Sequence, residues 1–232
     1  MLALMSAAHA PGTGPSSSLR RAHRQRAPGP TLPLPLLLLL TLLPNALQAA
    51  TSPPTPVAIN EVMYHPPGTN RLDQWIELRN DGNAAVDLSG WRLTRALNLI
   101  FPPGTTLPPA GYLVVAADPA TFRSRHPQTA ALALPWRGTL SWSSDEIRLE
   151  NAAGDLVHSL TYADSGDWAV RRLGPPDRLN RRGWEWFAEH DGLGRSLERI
   201  NPSLPGDLGQ NWAASSVDGG TPGAANSVLQ SN

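Results

Sequence analysis

Gln74-Trp75-Ile76-Glu77-Leu78-Arg79-Asn80 decides the fold. Ile76 and Leu78 fall on one face of an extended chain and Glu77 and Arg79 on the other, the two-residue period of a strand. Asp81-Gly82-Asn83 follows as a turn signal. Upstream, Val57-Ala58-Ile59-Asn60-Glu61-Val62-Met63-Tyr64 forms a second strand pattern, stopped by Pro66-Pro67-Gly68, and the two are expected to lie side by side. Trp75 opposes the Ile76/Leu78 face and is a candidate exposed aromatic.

Further strand patterns continue downstream. In Val86-Asp87-Leu88-Ser89-Gly90-Trp91-Arg92-Leu93 the apolar positions change from even to odd numbers, so a bulge or kink is expected at Gly90. Asn98 to Phe101 and Thr105 to Leu107 flank Pro102-Pro103-Gly104. Gly111 to Ala117 is apolar on both faces and reads as a central strand. Asp118-Pro119 has the cap residue and first-turn proline of a short helix ending before Pro127, the only helix expected. Glu146 to Glu150, a turn at Asn151 to Asp155, and Leu156 to Tyr162 read as a β-hairpin. Short strands at this spacing predict an all-β sandwich.

Composition agrees and excludes several chemistries. Proline (24) and glycine (20) are abundant among 232 residues without a collagen period, and 41% hydrophobic content is enough for a core. The basic residues are all arginine, so a Schiff-base or phosphate-loop lysine is excluded. Absence of cysteine removes thiol nucleophiles, thiolate zinc sites and disulfides.

The N-terminal 50 residues stand apart. A basic cluster at Arg20, Arg21, Arg24 and Arg26 precedes an apolar run from Leu36 to Leu43, and Asn45 to Ala50 offers small residues for signal peptidase. Residues 1–50 are therefore expected to be a cleaved signal peptide, with the mature protein extracellular, on the cell surface or in the periplasm. The run is too short and proline-flanked for a membrane span. Residues 51–56 read as a proline-rich linker, 57–226 as the domain and 227–232 as a tail. The expected mature chain sets 15 arginines against 19 acids, a net charge of −4 that makes general nucleic-acid binding unexpected.

Taken in order, Ile59 to Pro66, Trp75 to Asn80, Leu88-Ser89-Gly90-Trp91-Arg92-Leu93, Phe101 to Leu107 and Gly111 to Val115 resemble the lamin tail domain, particularly its versions in exported bacterial proteins. Arg195 to Pro202, Asn211 to Ser215 and Gly219 to Asn226 are similar to the close of those versions. The resemblance implies an immunoglobulin-like β-sandwich acting as a non-catalytic interaction or attachment module, without an agreed functional site. A long Arg- and Trp-rich loop, about residues 168–190, exceeds what a minimal version needs.

That loop supplies the candidate surface: Arg171, Arg172, Arg178, Arg181 and Arg182, with Trp184 and Trp186 on one side of an alternating stretch. Arginine and tryptophan dominate binding hot spots, so a partner protein or an acidic cell-surface polysaccharide is the partner class. The simpler expectation is that both tryptophans pack under the loop and the arginines pair with Asp167, Asp177, Glu185 and Glu189. An exposed tryptophan row would instead make a carbohydrate-binding module.

Four histidines follow the linker. His65 and His126 are expected at the surface and His158 as a partly buried structural residue. A secreted hydrolase would have to be built around His190 and Asp191, and no nucleophile motif accompanies them. No enzyme activity and no cofactor is therefore expected. Calcium is the one metal considered, on the turn carboxylates of Asp164, Asp167 and Asp191, which lack EF-hand spacing.

Overall fold

The computed structural model describes residues 56–130, 132 and 135–230. The expected signal peptide lies outside the described residues, as does the linker apart from Pro56. In chain order the elements are β1 (Val57–Met63), β2 (Trp75–Asn80), β3 (Val86–Asp87), β4 (Arg92–Arg95), β5 (Leu97–Ile100), β6 (Thr106–Leu107), β7 (Tyr112–Ala116), α1 (Pro119–Arg125), β8 (Arg137–Gly138), β9 (Ser144–Glu150), β10 (Leu156–Ala163), β11 (Val170–Leu173), β12 (Trp184–Phe187), β13 (Leu197–Arg199) and β14 (Trp212–Ala214).

They form two five-stranded antiparallel sheets, ordered β14-β13-β1-β2-β7 and β10-β9-β4-β5-β8. The inner faces meet in one core. Ile59, Ile76, Leu78 and Val115 of the first sheet pack with Leu93, Ile147, Leu149 and Leu160 of the second. Tyr64 and Tyr162 stack across it at 4.4 Å between ring centroids. This is the all-β sandwich expected from alternation and spacing, of the immunoglobulin-like kind that the resemblance implies. The β1–β2 pair and the β9–β10 hairpin stand where the sequence places them. So does α1, whose first-turn amide at Thr121 donates to the capping Asp118 carboxylate at 2.6 Å.

Three local expectations are corrected. At Ser89-Gly90 the chain turns instead of bulging: Gly90 sits at φ +75° and the Trp91 N–H donates to the Leu88 carbonyl at 3.0 Å. The turn sends β3 to pair with β6 and β4 into the second sheet. The apolar strand β7 is an edge strand, not a central one. Its two apolar faces are explained by α1, which covers the outer side.

Trp75 is the third correction, being 1% exposed. It packs with Met63, Val114, Ala116 and Phe122 in a second small core between the first sheet and α1. Phe122 meets the indole edge-on at 5.9 Å. Alternation correctly placed Trp75 opposite Ile76, but strand period alone does not reveal that a helix covers that face. Truncation there leaves a cavity beneath α1. We expect Trp75→Ala to cost ~3–5 kcal/mol, measured by denaturant unfolding; a loss below about 1 kcal/mol would rule out this second core.

The rest of the outer face is covered by residues 219–228. There Glu61 lies opposite both Glu198 and Glu77, so β2, β1 and β13 present three adjacent buried glutamates.

Candidate interaction surface

Residues 168–190 are not a loop. β11 and β12 pair antiparallel, with Val170 opposite Phe187, Arg171 opposite Trp186, Arg172 opposite Glu185 and Leu173 opposite Trp184. Two glycines narrow the ribbon beyond the strands, where the Gly174 N–H donates to the Gly183 carbonyl at 2.8 Å. At the tip the Asp177 carboxylate accepts from the Leu179 and Arg181 amides at 2.8 and 2.9 Å. These bonds hold its carboxyl below the usual carboxylate range.

The ladder fixes which side chains meet. Because Gly174 and Gly183 form a hydrogen-bonded pair, Leu173/Trp184 and Arg171/Trp186 occupy the adjacent non-hydrogen-bonded positions, where side chains lie closest. All four point to one face. Trp184 is 63% and Trp186 48% exposed, with Leu173 also exposed beside them. The Arg171 guanidinium lies 5.4 Å from the Trp186 ring centroid.

The expected packing of both tryptophans beneath the segment is therefore overturned. A two-stranded ribbon has two faces and the body of the domain does not cover this one. The expected charge pairing holds in part. Arg181 meets Asp177 at 3.3 Å and Arg172 meets Glu185 at 3.1 Å. Arg172 also lies 3.6 Å from the Phe187 ring centroid, on the opposite face. Glu189 pairs instead with Arg195, and Asp167 accepts from Gln210. Arg182 donates to the Gly174 carbonyl, bracing the ribbon. Arg178 sits exposed at the tip. Leu173 is the surface residue missed by the sequence reading; it becomes recognisable only with the register opposite Trp184.

The histidines occupy a different place. His190 is buried between Tyr64 and Trp168. Its Nε2 lies 2.8 Å from the Trp168 carbonyl, which can only accept, so Nε2 carries the proton and Nδ1 accepts from the Tyr64 hydroxyl at 2.8 Å. Asp191 bonds His65, whose ring stacks on Trp142 at 4.5 Å. Arg71 covers Trp142 at 4.3 Å. His65 is thus half-buried in a stack and not simply at the surface, and His126 lies against Phe122 and Trp75. Burial pushes His158 down to about 4, as the sequence reading of a structural histidine implies. The shallow groove of about 320 Å³ beside His190 is lined by residues such as Trp168, Phe187, Glu189 and Trp212, without a hydroxyl or thiol side chain among them. Both nitrogens of His190 are therefore committed to structure, and the geometry gives no support to a hydrolase there. Among the described residues no three His, Asp or Glu side chains form a group able to hold a metal ion.

The family model described as Lamin Tail Domain matches residues 50–164. The chain carries a lamin tail domain. Strands β1 to β10 fall within the match, whereas the β11–β12 hairpin, β13 and β14 follow it. The lamin tail domain is immunoglobulin-like and generally non-enzymatic. No curated protein matches the chain.

Burial is the main reason that His190 has its pKa lowered, against the weaker opposing pull of the Trp168 carbonyl. A group with a depressed folded pKa contributes stability above its unfolded pKa, and that stability is lost as pH falls through the folded value. We expect the His190 ring to titrate below the ordinary histidine value of about 6.5. Its ring-proton NMR shifts report this directly, and a titration at or above the ordinary histidine value would refute the buried Tyr64–His190–Trp168 arrangement.

Proposed function

We propose that this protein is an exported, non-catalytic interaction module that grips its partner with the Leu173, Trp184, Trp186 and Arg171 face of the β11–β12 hairpin. The observation that carries this reading is the pair of exposed indoles side by side on one strand. Exposed apolar area of this kind marks contact sites in soluble proteins. Tryptophan and arginine together supply stacking, cation–π contact and charge-assisted hydrogen bonds.

Arg171 and Arg178 favour a partner that carries acidic groups alongside apolar or ring surfaces, a protein or an acidic polysaccharide of the cell surface. Such a partner would meet a basic arm on an otherwise acidic domain. Export rests on the basic and apolar pattern of residues 1–50. The lamin tail fold supports a module that acts by binding.

The test is a binding screen of the mature protein against cell-envelope proteins and acidic polysaccharides, alongside the double variant Trp184→Ala/Trp186→Ala. Both side chains leave solvent and not core, so stability should change by no more than ~0.5 kcal/mol. Binding should weaken about 30-fold or more, the effect of losing a hot spot. Unfolding of the variant, or binding that survives in full, contradicts the proposal; selective retention on polysaccharide would identify a carbohydrate-binding module.

A further inference from the structure

The three glutamates beneath residues 219–228 hold the feature that the hairpin does not explain. Glu77, Glu61 and Glu198 stand side by side on β2, β1 and β13, all fully buried. No arginine forms an ion pair with any of them among the described residues. Their partners are instead hydrogen-bond donors, most of them from the covering segment.

The Thr221 N–H donates to Glu61 Oε1 at 2.8 Å. The Gly223 N–H donates to Glu77 Oε2, and Ser227 Oγ and the Val228 N–H donate to Glu198 Oε2 at 2.8 and 3.1 Å. Asn226 anchors the segment through the Asn60 and Arg199 carbonyls. The approach is close enough to require glycine at 220, where a Cβ would stand 2.3 Å from Glu61 Oε1 and the backbone is at φ +80°.

Donor and acceptor logic distinguishes the three acids. Glu77 receives N–H donors on both oxygens, from Asn60 at 2.9 Å and from Gly223. Glu198 likewise receives donors on both, with Thr221 Oγ1 at 2.8 Å from Oε1. Thr221 has one hydroxyl proton for two carboxylate oxygens, Glu198 Oε1 at 2.8 Å and Glu61 Oε2 at 3.3 Å, and the shorter contact favours giving it to Glu198. The Thr221 oxygen then remains free to accept from Glu61 Oε2. With that proton on Glu198, Glu61 Oε2 faces an acceptor in place of a donor, and its other oxygen takes donors from Ser196 and Thr221.

We propose that residues 219–228 are a proton-held strap: a proton on Glu61 donates to Thr221 Oγ1 and completes the network, and its loss loosens the strap from the face of β1, β2 and β13. Without that proton a single hydroxyl hydrogen is left to serve both Glu61 Oε2 and Glu198 Oε1, and a further negative charge enters the row. Burial first, and then the Glu77 charge, raise the Glu61 pKa well above the ordinary range, while burial raises Glu77 to about 7. The sign is fixed by this direction. The folded, strapped state holds the proton more tightly than the open one, so closure is favoured at low pH and is lost as pH rises through the raised values.

Glu77 is the neighbour that titrates near neutral pH within the row, and the charged groups around the row are paired. Arg79 on β2 is engaged with Asp81 at 3.2 Å, and the strap itself contains no charged side chain. Asp218, just before it, faces Arg195. His126, at the end of α1 beside Gly219, has its pKa lowered by burial, below the ordinary histidine range.

Glu61→Gln provides the test, because its amide group donates to Thr221 Oγ1 while its carbonyl accepts from Ser196 and Thr221, reproducing the protonated acid. Hydrogen exchange of the Thr221, Gly223 and Val228 amides is compared between wild type and Glu61→Gln at the same pH, which cancels base catalysis of exchange. The ratio should be near one at pH 6 and rise at least tenfold by pH 9, with amides of β4 and β9 showing no such change. A ratio that stays flat, faster exchange in Glu61→Gln at pH 6, or an equal acceleration in β4 and β9 would overturn the strap.

Discussion

The first sheet is buried on both faces, and most of the architecture follows from that constraint. Its inner face solves the problem in the usual way, with Ile59, Ile76, Leu78 and Val115 packed against the second sheet. Its outer face carries Trp75 at one end and three glutamates in its middle. Apolar surface there is met by α1. The carboxylates need donors instead, because a buried acid without hydrogen bonds is strongly disfavoured. The chain returns after β14 to provide them, and the strands before and after the hairpin are thereby tied into one structure.

That arrangement separates stability from recognition. Trp75, Trp91 and Trp212 are buried in the two cores, whereas Trp184 and Trp186 contribute area to neither. The hairpin is held by its own ladder, its glycines and the Asp177 turn. A ribbon built this way can vary its outward face without disturbing the sandwich, which is how binding residues are commonly carried on a rigid scaffold.

The sequence makes the strands legible where one face is apolar and the next is polar, as in Ile76-Glu77-Leu78-Arg79, and where turn chemistry is local, as at Asn151 to Asp155. It misleads where a partner from far along the chain intervenes. Trp75 and β7 are covered by α1, and Glu77 reads like any solvent-facing strand residue until Gly223, 146 positions away, is placed over it. The hairpin was legible only in composition: the Arg/Trp alternation marked the region, but pairing of Arg171 with Trp186 and of Leu173 with Trp184 depends on register. In the sequence His190 stands out only as a chemical candidate beside Asp191. Its actual commitment, to Tyr64 and the Trp168 carbonyl, involves contacts that no local motif encodes.

The dependence of the first sheet on its cover is tested most directly by thermal unfolding of a chain ending at Asp218, which retains every strand and removes the strap. If the glutamate row requires the donors of residues 219–228, the melting temperature falls by several degrees and the fall is largest at acidic pH, where the intact strap is closed. An unchanged melting temperature across the pH range would contradict that dependence.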